Sequence, residues 1–468
     1  MFDRRPLQAL QHQLSTLAER SLDRHVRLAV TGLSRSGKTA FITALVHQLE
    51  QAGLQQARLP LWQVCASGRL LGARRVPQQH HHIPSFGYEA GLAALSGEPP
   101  AWPAPTRGLS ELRLELRYHS RHPLWRHLGG DTSRLFVEIV DYPGEWLLDL
   151  PLLQQSYAQW SQQVRKQLAA PELAALAAPW LQLGSALNGT SRYDEALAAR
   201  LAQAYTDYLH AAKAQLGRQL IQPGRFVLPG EYAGAPVLQF TPWLWPAPEG
   251  APGRESLYAM FEQRFEHYKR HLVAGFYHDH FASFDRQVVL VDCLQPLQQG
   301  PAAWDDLAQT LGLLLQSFQY GQSNWWRRLF APRIDRLLFA ASKADHVTPD
   351  QHGALQALLE SLTQGGRAHA RFEGIQVASQ VLASVRAGQF HTLTHQGKPL
   401  TVIEGTGLDG TPVALFPGDL PIGRPDAAYW QAPIQPLALR PRPWDQTGPM
   451  AHLRLDQALE FLLGDKLR

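Results

Sequence analysis

Apolar residues recur at helical spacing over 7–22, at Leu7, Leu10, Leu14 and Leu17. They predict a short N-terminal helix packed on the next elements of the chain or on a partner. A strand-like run, Val26-Arg27-Leu28-Ala29-Val30, then leads into Gly32, and a helical pattern runs from Lys38 to about Gln51. Strand, glycine loop and helix in that order open an α/β nucleotide-binding domain. Residues 52–130 are rich in Pro, Gly, His and Trp, and only Glu111 to Tyr118 alternates there as a half-buried strand does. Leu135 to Val140 alternates likewise and stops at Asp141, so these two strands are expected to pair.

From 151 to 280 the period becomes helical. Leu153, Tyr157, Trp160, Val164 and Leu168 share one face; so do Leu197, Leu201, Tyr205, Tyr208 and Leu209, and then Leu257, Phe261, Phe265, Tyr268 and Leu272. Pro223, Pro229 and the stretch from Pro242 to Pro252 interrupt this block. An inserted helical subdomain is the expected outcome. A buried-strand run, Val288 to Val291, then reaches Asp292, with a helix over about 305–319. A strand over Arg336 to Ala341 precedes Ser342, a helix covers about 350–364 and a strand Gly374 to Ala378. Alternating strands and helices imply a mostly parallel sheet. Residues 391–445 read as a small β module with turns at Gln396-Gly397, Asp409-Gly410 and Pro417-Gly418, and 446–468 carry a closing helix over about 449–463.

Composition narrows the classes. A chain of 468 residues with 45% hydrophobic and 18% charged positions is globular, with core enough for two to four domains. Lys plus Arg is 44 against 40 Asp plus Glu, a net +4 too weak for bulk nucleic-acid binding. Two cysteines, Cys65 and Cys293, make neither a disulfide frame nor a four-Cys zinc site. The start lacks the apolar core of a signal peptide, and no apolar run approaches the ~20 residues of a membrane span. A cytoplasmic location without stable membrane insertion is expected.

The chemistry concentrates in three motifs. Gly32-Leu33-Ser34-Arg35-Ser36-Gly37-Lys38-Thr39 matches G-x-x-x-x-G-K-[ST] between a strand and a helix, with Ala40 behind it. Such a loop cradles phosphates with backbone N–H groups, Lys38 reaching the β- and γ-phosphates and Thr39 a Mg²⁺ ion. Asp141-Tyr142-Pro143-Gly144 comes directly after a strand; the carboxylate suits Mg²⁺ through water, and the Gly144 N–H a γ-phosphate. Ser342-Lys343-Ala344-Asp345 comes after another strand, where one carboxylate can accept both N–H donors of a guanine edge. Ala383-Ser384-Val385 lies where a backbone N–H would meet guanine O6.

This order resembles the Ras-like GTPases, although 204 residues separate Asp141 from Asp345 and the 151–280 helices account for most of that excess. The glycine loop, Val140 to Pro151, Val291 to Leu297 and Ala341 to Val347 together resemble the bacterial YcjX family. That resemblance implies an α/β P-loop NTPase with a Ras-like GTPase core, a large helical insertion and a small C-terminal β module. The patterning along the chain divides it into 1–150, 151–280, 281–390, 391–445 and 446–468. The resemblance implies GTP/GDP and Mg²⁺ as ligands and a bacterial stress-response setting. Carried over residue by residue, it makes Thr106 the switch threonine for Mg²⁺ and offers Arg107 or Arg35 as positive charge near the transition state. Glu145 stands where such proteins carry a water-orienting Gln; a carboxylate there points away to a base or slows hydrolysis, so weak intrinsic activity is expected.

The runner-up is an ATP-driven chaperone-like or remodelling ATPase with a structural Asp345. A third reading is a scaffold that binds nucleotide without turning it over, the β module and the helices doing the work. His80-His81-His82 and His278-Asp279-His280 read as polar loop or helix-end residues rather than metal sites, since no Cys or carboxylate cluster completes either. Trp325-Trp326-Arg327-Arg328-Leu329-Phe330 reads as packing before the next strand, or as a membrane or partner contact. Asp141 has a better claim to the metal than Asp292.

Overall fold

The computed structural model describes residues 25–53, 59–121, 132–251, 253–317, 334–372, 374–395, 397–435, 437–444 and 448–468. The helix expected over 7–22 and the Trp325–Phe330 segment lie outside them.

In chain order the main elements are β1 (His25–Gly32), α1 (Lys38–Ala52), β2 (Leu70–Val76), α2 (Tyr88–Leu95), β3 (Ser110–His119) and β4 (Thr132–Asp141). A 3₁₀ segment, Gly144–Gln154, leads to α3 (Tyr157–Gln167), α4 (Pro171–Leu183), α5 (Glu195–Leu216) and α6 (Leu257–His267). Then come β5 (Arg286–Val291), α7 (Pro301–Ser317), β6 (Arg336–Ala341), α8 (His352–Phe372) and β7 (Gln376–Val381). The chain ends with β8 (Gln389–His395), β9 (Lys398–Thr406), β10 (Pro412–Leu415) and α9 (Leu455–Leu463).

Seven strands form one sheet in the order β2-β3-β4-β1-β5-β6-β7. Pairs from β4 through β7 are parallel, while β2–β3 and β3–β4 are antiparallel. This is the α/β, mostly parallel architecture the periodicity implies. Central β1 is buried along its whole length because helices cover both faces. On one face, Val26, Leu28, Val137 and Leu338 pack with Phe41 and Leu45 of α1 and Leu455 and Leu459 of α9. On the other, Val289, Val291 and Tyr142 join α7, α8 and the helices between β4 and β5 in one continuous core.

Those helices start where polar caps sit. Ser156 and Gln159 form a capping box at α3, the Asp194 carboxylate accepts the Leu197 N–H at 2.7 Å, and Ser256 accepts the Ala259 N–H at 3.2 Å. Gly217, left-handed at φ 66, ends α5. Their apolar stripes meet as aromatic pairs, Trp160 stacked on Phe265 at 5.1 Å and Trp180 tilted against Tyr205 at 4.7 Å. Truncating a fully buried Trp160 to Ala would cost about 3–5 kcal/mol.

Four details differ from the sequence expectation. Strand β2 is an additional antiparallel edge: its Leu-Leu-Gly-Ala-Arg-Arg-Val has a broken alternation, with an irregular register between Leu70 and Gly72. β7 begins at Gln376 rather than 374, since Gly374 is left-handed at φ 83. Among the described residues, regular β structure within the expected 391–445 module ends at Leu415; β8–β10 form an antiparallel sheet turned at Gly397 and Gly410. α9 starts at Leu455, after a left-handed Arg454, rather than at 449.

Candidate nucleotide-binding site

The glycine loop leaves β1 at its C-terminal end. A Cβ on Gly32 would fall 2.4 Å from Ser36 Oγ and 2.5 Å from the Leu290 carbonyl, so the position admits no side chain. Arg35 (φ 65) and Gly37 (φ 88) are left-handed with Ser36 between them, which curls successive N–H groups into an anion-binding concavity. Arg35 accepts a conformation unusual for a residue with a Cβ, while its side chain stays exposed. Lys38 and Ala40 open α1 as buried residues, and Lys38 Nζ lies 3.3 Å from the Gly32 carbonyl oxygen. Ser34 is half-buried at the mouth of the loop.

Beside it three oxygens converge. Thr106 Oγ1 donates to Asp141 Oδ2 at 2.6 Å, and Thr39 Oγ1 lies 3.3 Å from Thr106 Oγ1. Thr106 has one hydroxyl proton and spends it on Asp141, so Thr39 is the donor of the second bond. Asp141 Oδ1 is buried without a partner among the described residues. Burial lifts this carboxyl to about 6, against the pull of Lys38 and the Thr106 bond. Two hydroxyls and an orphaned carboxylate oxygen form an all-oxygen set, which suits a hard divalent cation such as Mg²⁺.

Gly144 rests on the glycine loop, where an added Cβ would stand 2.7 Å from the Gly32 carbonyl oxygen. Glu145 turns its Oε1 toward Ser34 Oγ, 2.7 Å, and Lys213 Nζ on the last turn of α5, 2.6 Å. Burial opposes ionisation of Glu145, but the charges of Lys213 and Lys38, with these hydrogen bonds, hold its carboxyl below the ordinary value. Arg107 is exposed, as is Arg35.

The inserted helices grip this segment. Asp149 accepts the Gly224 N–H at 2.8 Å and the Tyr268 hydroxyl at 2.5 Å, and Trp146 Nε1 donates to the Leu228 carbonyl at 2.9 Å. The Arg225 guanidinium lies 3.3 Å over the Trp146 ring. The same loop reaches Gly108 beside Thr106, since a Gly108 Cβ would lie 3.9 Å from Gly230 Cα.

At the far end of the same sheet edge, Ser342 succeeds β6 and donates its N–H to the Val291 carbonyl at 3.0 Å. Lys343 is left-handed at φ 61 and pairs with Asp292 at 2.5 Å. Asp292 also accepts the Leu294 and Gln295 N–H groups, which commits it to a helix start and a lysine rather than to the three-oxygen cluster. Asp345 is buried and its Oδ2 accepts the N–H groups of Ala387 at 2.5 Å and Gly388 at 3.0 Å. Ala383 exchanges backbone bonds with Leu453, and the Ala344 N–H donates to the Leu382 carbonyl at 3.2 Å, which sets the start of Ala383-Ser384-Val385 next to the Ser342–Asp345 segment. The candidate residues thus line the carboxyl ends of β1, β4, β6 and β7, the edge where open α/β sheets bind ligands.

Lys213 escaped the sequence reading because 68 residues and no motif separate it from Glu145. The histidine reading needs correcting. His80 Nδ1 lies 3.0 Å from Glu111, and His80, Glu111 and Glu138 bring ligand atoms within 4.8 Å of one another. Carboxylates do complete the cluster, delivered by β3 and β4 rather than by the local sequence. Arg27 lies 3.4 Å from Glu111 and 3.8 Å from Glu138, and Arg113 3.7 Å from Glu138, so guanidinium charge already balances both. A surface cavity of about 470 Å³ opens beside Glu111 and Arg113, away from the glycine loop. Its paired charges give it no convergent chemistry. Cys293 is fully buried, and burial raises its thiol pKa. Among the described residues no helix is long and apolar enough to cross a membrane.

A model of the YcjX-like family, DUF463, matches residues 26–467. The Ras-like GTPase YcjX of Escherichia coli (strain K12) is 50% identical over 471 aligned positions, covering 99% of this chain and 100% of that protein. The Ras-like GTPase YcjX of Shewanella oneidensis is 41% identical over 479 positions, covering 98% of each. With a glycine loop between β1 and α1 and near-full-length likeness to both, this chain belongs to the YcjX-like family.

Proposed function

We propose that this chain is a Mg²⁺-dependent GTP-binding protein that hydrolyses GTP slowly and uses the nucleotide as a switch. One observation carries the reading. Thr39, Thr106 and Asp141 stand together beside the glycine loop, on the same sheet edge as Ser342, Lys343 and Asp345. The name of both relatives, Ras-like GTPase, supports it.

In this reading the 32–40 loop and Lys38 hold the phosphates. Thr39, Thr106 and Asp141 hold Mg²⁺, which when bound offsets negative charge on the phosphates. The Gly144 N–H faces the γ-phosphate, and Glu145 the attacking water. A carboxylate presents about four lone-pair sites, so two backbone donors on Asp345 Oδ2 leave Oδ1 for the guanine edge, with Ala383-Ser384-Val385 beside O6. Contacts at Thr106 and Gly144 pass to the helices through Asp149, Trp146 and Gly224, which favours a switch over a metabolic enzyme. We assign the stress-response setting on family resemblance and the cytoplasmic one on the composition and the short apolar runs, and we expect an unidentified protein partner at the inserted helices. Nucleic acid is not an expected ligand.

Phosphate release from GTP by the purified chain tests the reading. A rate below about 1 s⁻¹, abolished in Lys38→Ala, is expected; faster turnover without a partner contradicts slow hydrolysis. Identical protease cleavage of 100–160 with GDP and with a GTP analogue would count against a switch. The bonds from Asp345 to Ala387 and Gly388 also suit a purely structural Asp345, as in an ATP-driven remodelling enzyme. Base selectivity separates the two.

A further inference from the structure

We infer that Lys213, delivered by the inserted helix α5, is a positioning residue of the hydrolytic site that lets an acidic Glu145 coexist with a γ-phosphate; this rests on the GTPase reading above. Glu145 Oε1 accepts both Ser34 Oγ, from the phosphate loop, at 2.7 Å and Lys213 Nζ at 2.6 Å. Its side chain is 2% exposed, and Oε2 is buried with no partner among the described residues. An ionised carboxylate so placed is hydrogen-bonded through Ser34 to the loop that the terminal phosphate of a triphosphate must approach. Alone it repels that phosphate in a site shielded from water.

Lys213 answers this in two ways. Its ammonium cancels the Glu145 charge, and its 2.6 Å bond fixes which way the carboxylate points. Lys213 closes the last turn of α5, where the helix dipole also favours a cation. The Lys213 side chain is 19% exposed, so the pair lies largely out of solvent screening.

In hydrolysis, the water oxygen bonds to Pγ as the bond from Pγ to the bridging oxygen breaks. The electron pair stays on GDP, and the water protons leave with phosphate and solvent. Glu145 accepts a hydrogen bond from that water, and Lys213 acts through Glu145. GDP, which lacks the γ-phosphate, does not feel the pair. A merely structural lysine would weaken GDP and GTP binding alike.

The test is the dissociation constant of GDP and of a non-hydrolysable GTP analogue for the full chain and four variants. Lys213→Ala should lower analogue affinity relative to GDP by about tenfold or more, and adding Glu145→Gln in the same chain should restore the ratio. Glu145→Gln alone should tolerate the analogue without loss. Lys213→Arg keeps the charge and should keep the wild-type ratio, which covers the case of an alanine variant that fails to fold. Equal effects on GDP and analogue, a loss that persists in the double variant, or an arginine variant as impaired as alanine would each overturn the inference. Wild-type chain that binds neither guanine nucleotide would instead overturn the GTPase reading beneath it.

Discussion

Thr106 Oγ1 donates a 2.6 Å hydrogen bond to Asp141 Oδ2 across 35 residues of sequence, and Thr39 Oγ1 stands 3.3 Å behind it. The threonine arrives from the segment before β3 and the aspartate from the end of β4, strands that pair Ser110 with Asp141. Antiparallel pairing brings the Pro-rich segment back over the glycine loop.

Thr106→Ala should therefore weaken Mg²⁺-dependent binding of a GTP analogue by about tenfold or more, in line with about 1.5–3 kcal/mol for a hydrogen bond to a charged group. GDP binding should change far less, and Thr106→Ser should recover the affinity. Calorimetry with and without Mg²⁺ reads all three; a GDP loss as large as the analogue loss would remove Thr106 from the switch.

Asp345→Asn should cost roughly 10- to 100-fold in GDP affinity while leaving ADP affinity where it was. The amide oxygen can still take the Ala387 and Gly388 N–H groups, so the loop should hold. Parallel loss of both nucleotides would mark Asp345 as structural.

Gly224 is closed to any side chain: a Cβ would stand 2.1 Å from the Glu145 carbonyl oxygen and 2.6 Å from its carbon. Gly224→Ala should destabilise the chain by about 1–3 kcal/mol. It should also loosen protease protection around Glu145. Gly353→Ala in α8, where a Cβ meets nothing within 4 Å, is the control and should not lower the melting midpoint. Equal midpoints for the two variants would mean the Gly224 contact gives way at no cost.

Burial lifts the Asp149 carboxyl to about 7 despite the bonds from Tyr268, Gly224 and Arg225. The folded chain keeps a proton that the unfolded chain loses near about 3.9. The stability this proton provides is full below that value and drains as pH rises through about 7. Asp149→Asn removes the titration, so its melting midpoint should gain on wild type between pH 5 and pH 7, at up to about 1.4 kcal/mol per pH unit. A midpoint difference that stays constant over that range would contradict it.

Local periodicity and spacing carried much of the fold. β1, its glycine loop and α1 showed because strand, turn and helix are contiguous, and the helical stripes through Trp160, Tyr205 and Phe265 showed because 3.6-residue spacing survives burial. β2 did not, since an edge strand need not alternate cleanly and Gly72 breaks its register. Candidate site residues within motifs were legible, while the groups that grip them were not. Lys213 reaches Glu145 through tertiary packing alone, as Glu111 and Glu138 reach His80. The left-handed Arg35 was equally silent, because its conformation is set by the loop and not by its residue type.

The most direct measurement is one titration of the purified chain with GDP, GTP, ADP and ATP in the presence of Mg²⁺. A guanine site at Asp345 predicts GDP and GTP binding about tenfold or more tighter than ADP and ATP; adenine nucleotides binding as tightly as guanine nucleotides, or more tightly, would contradict it.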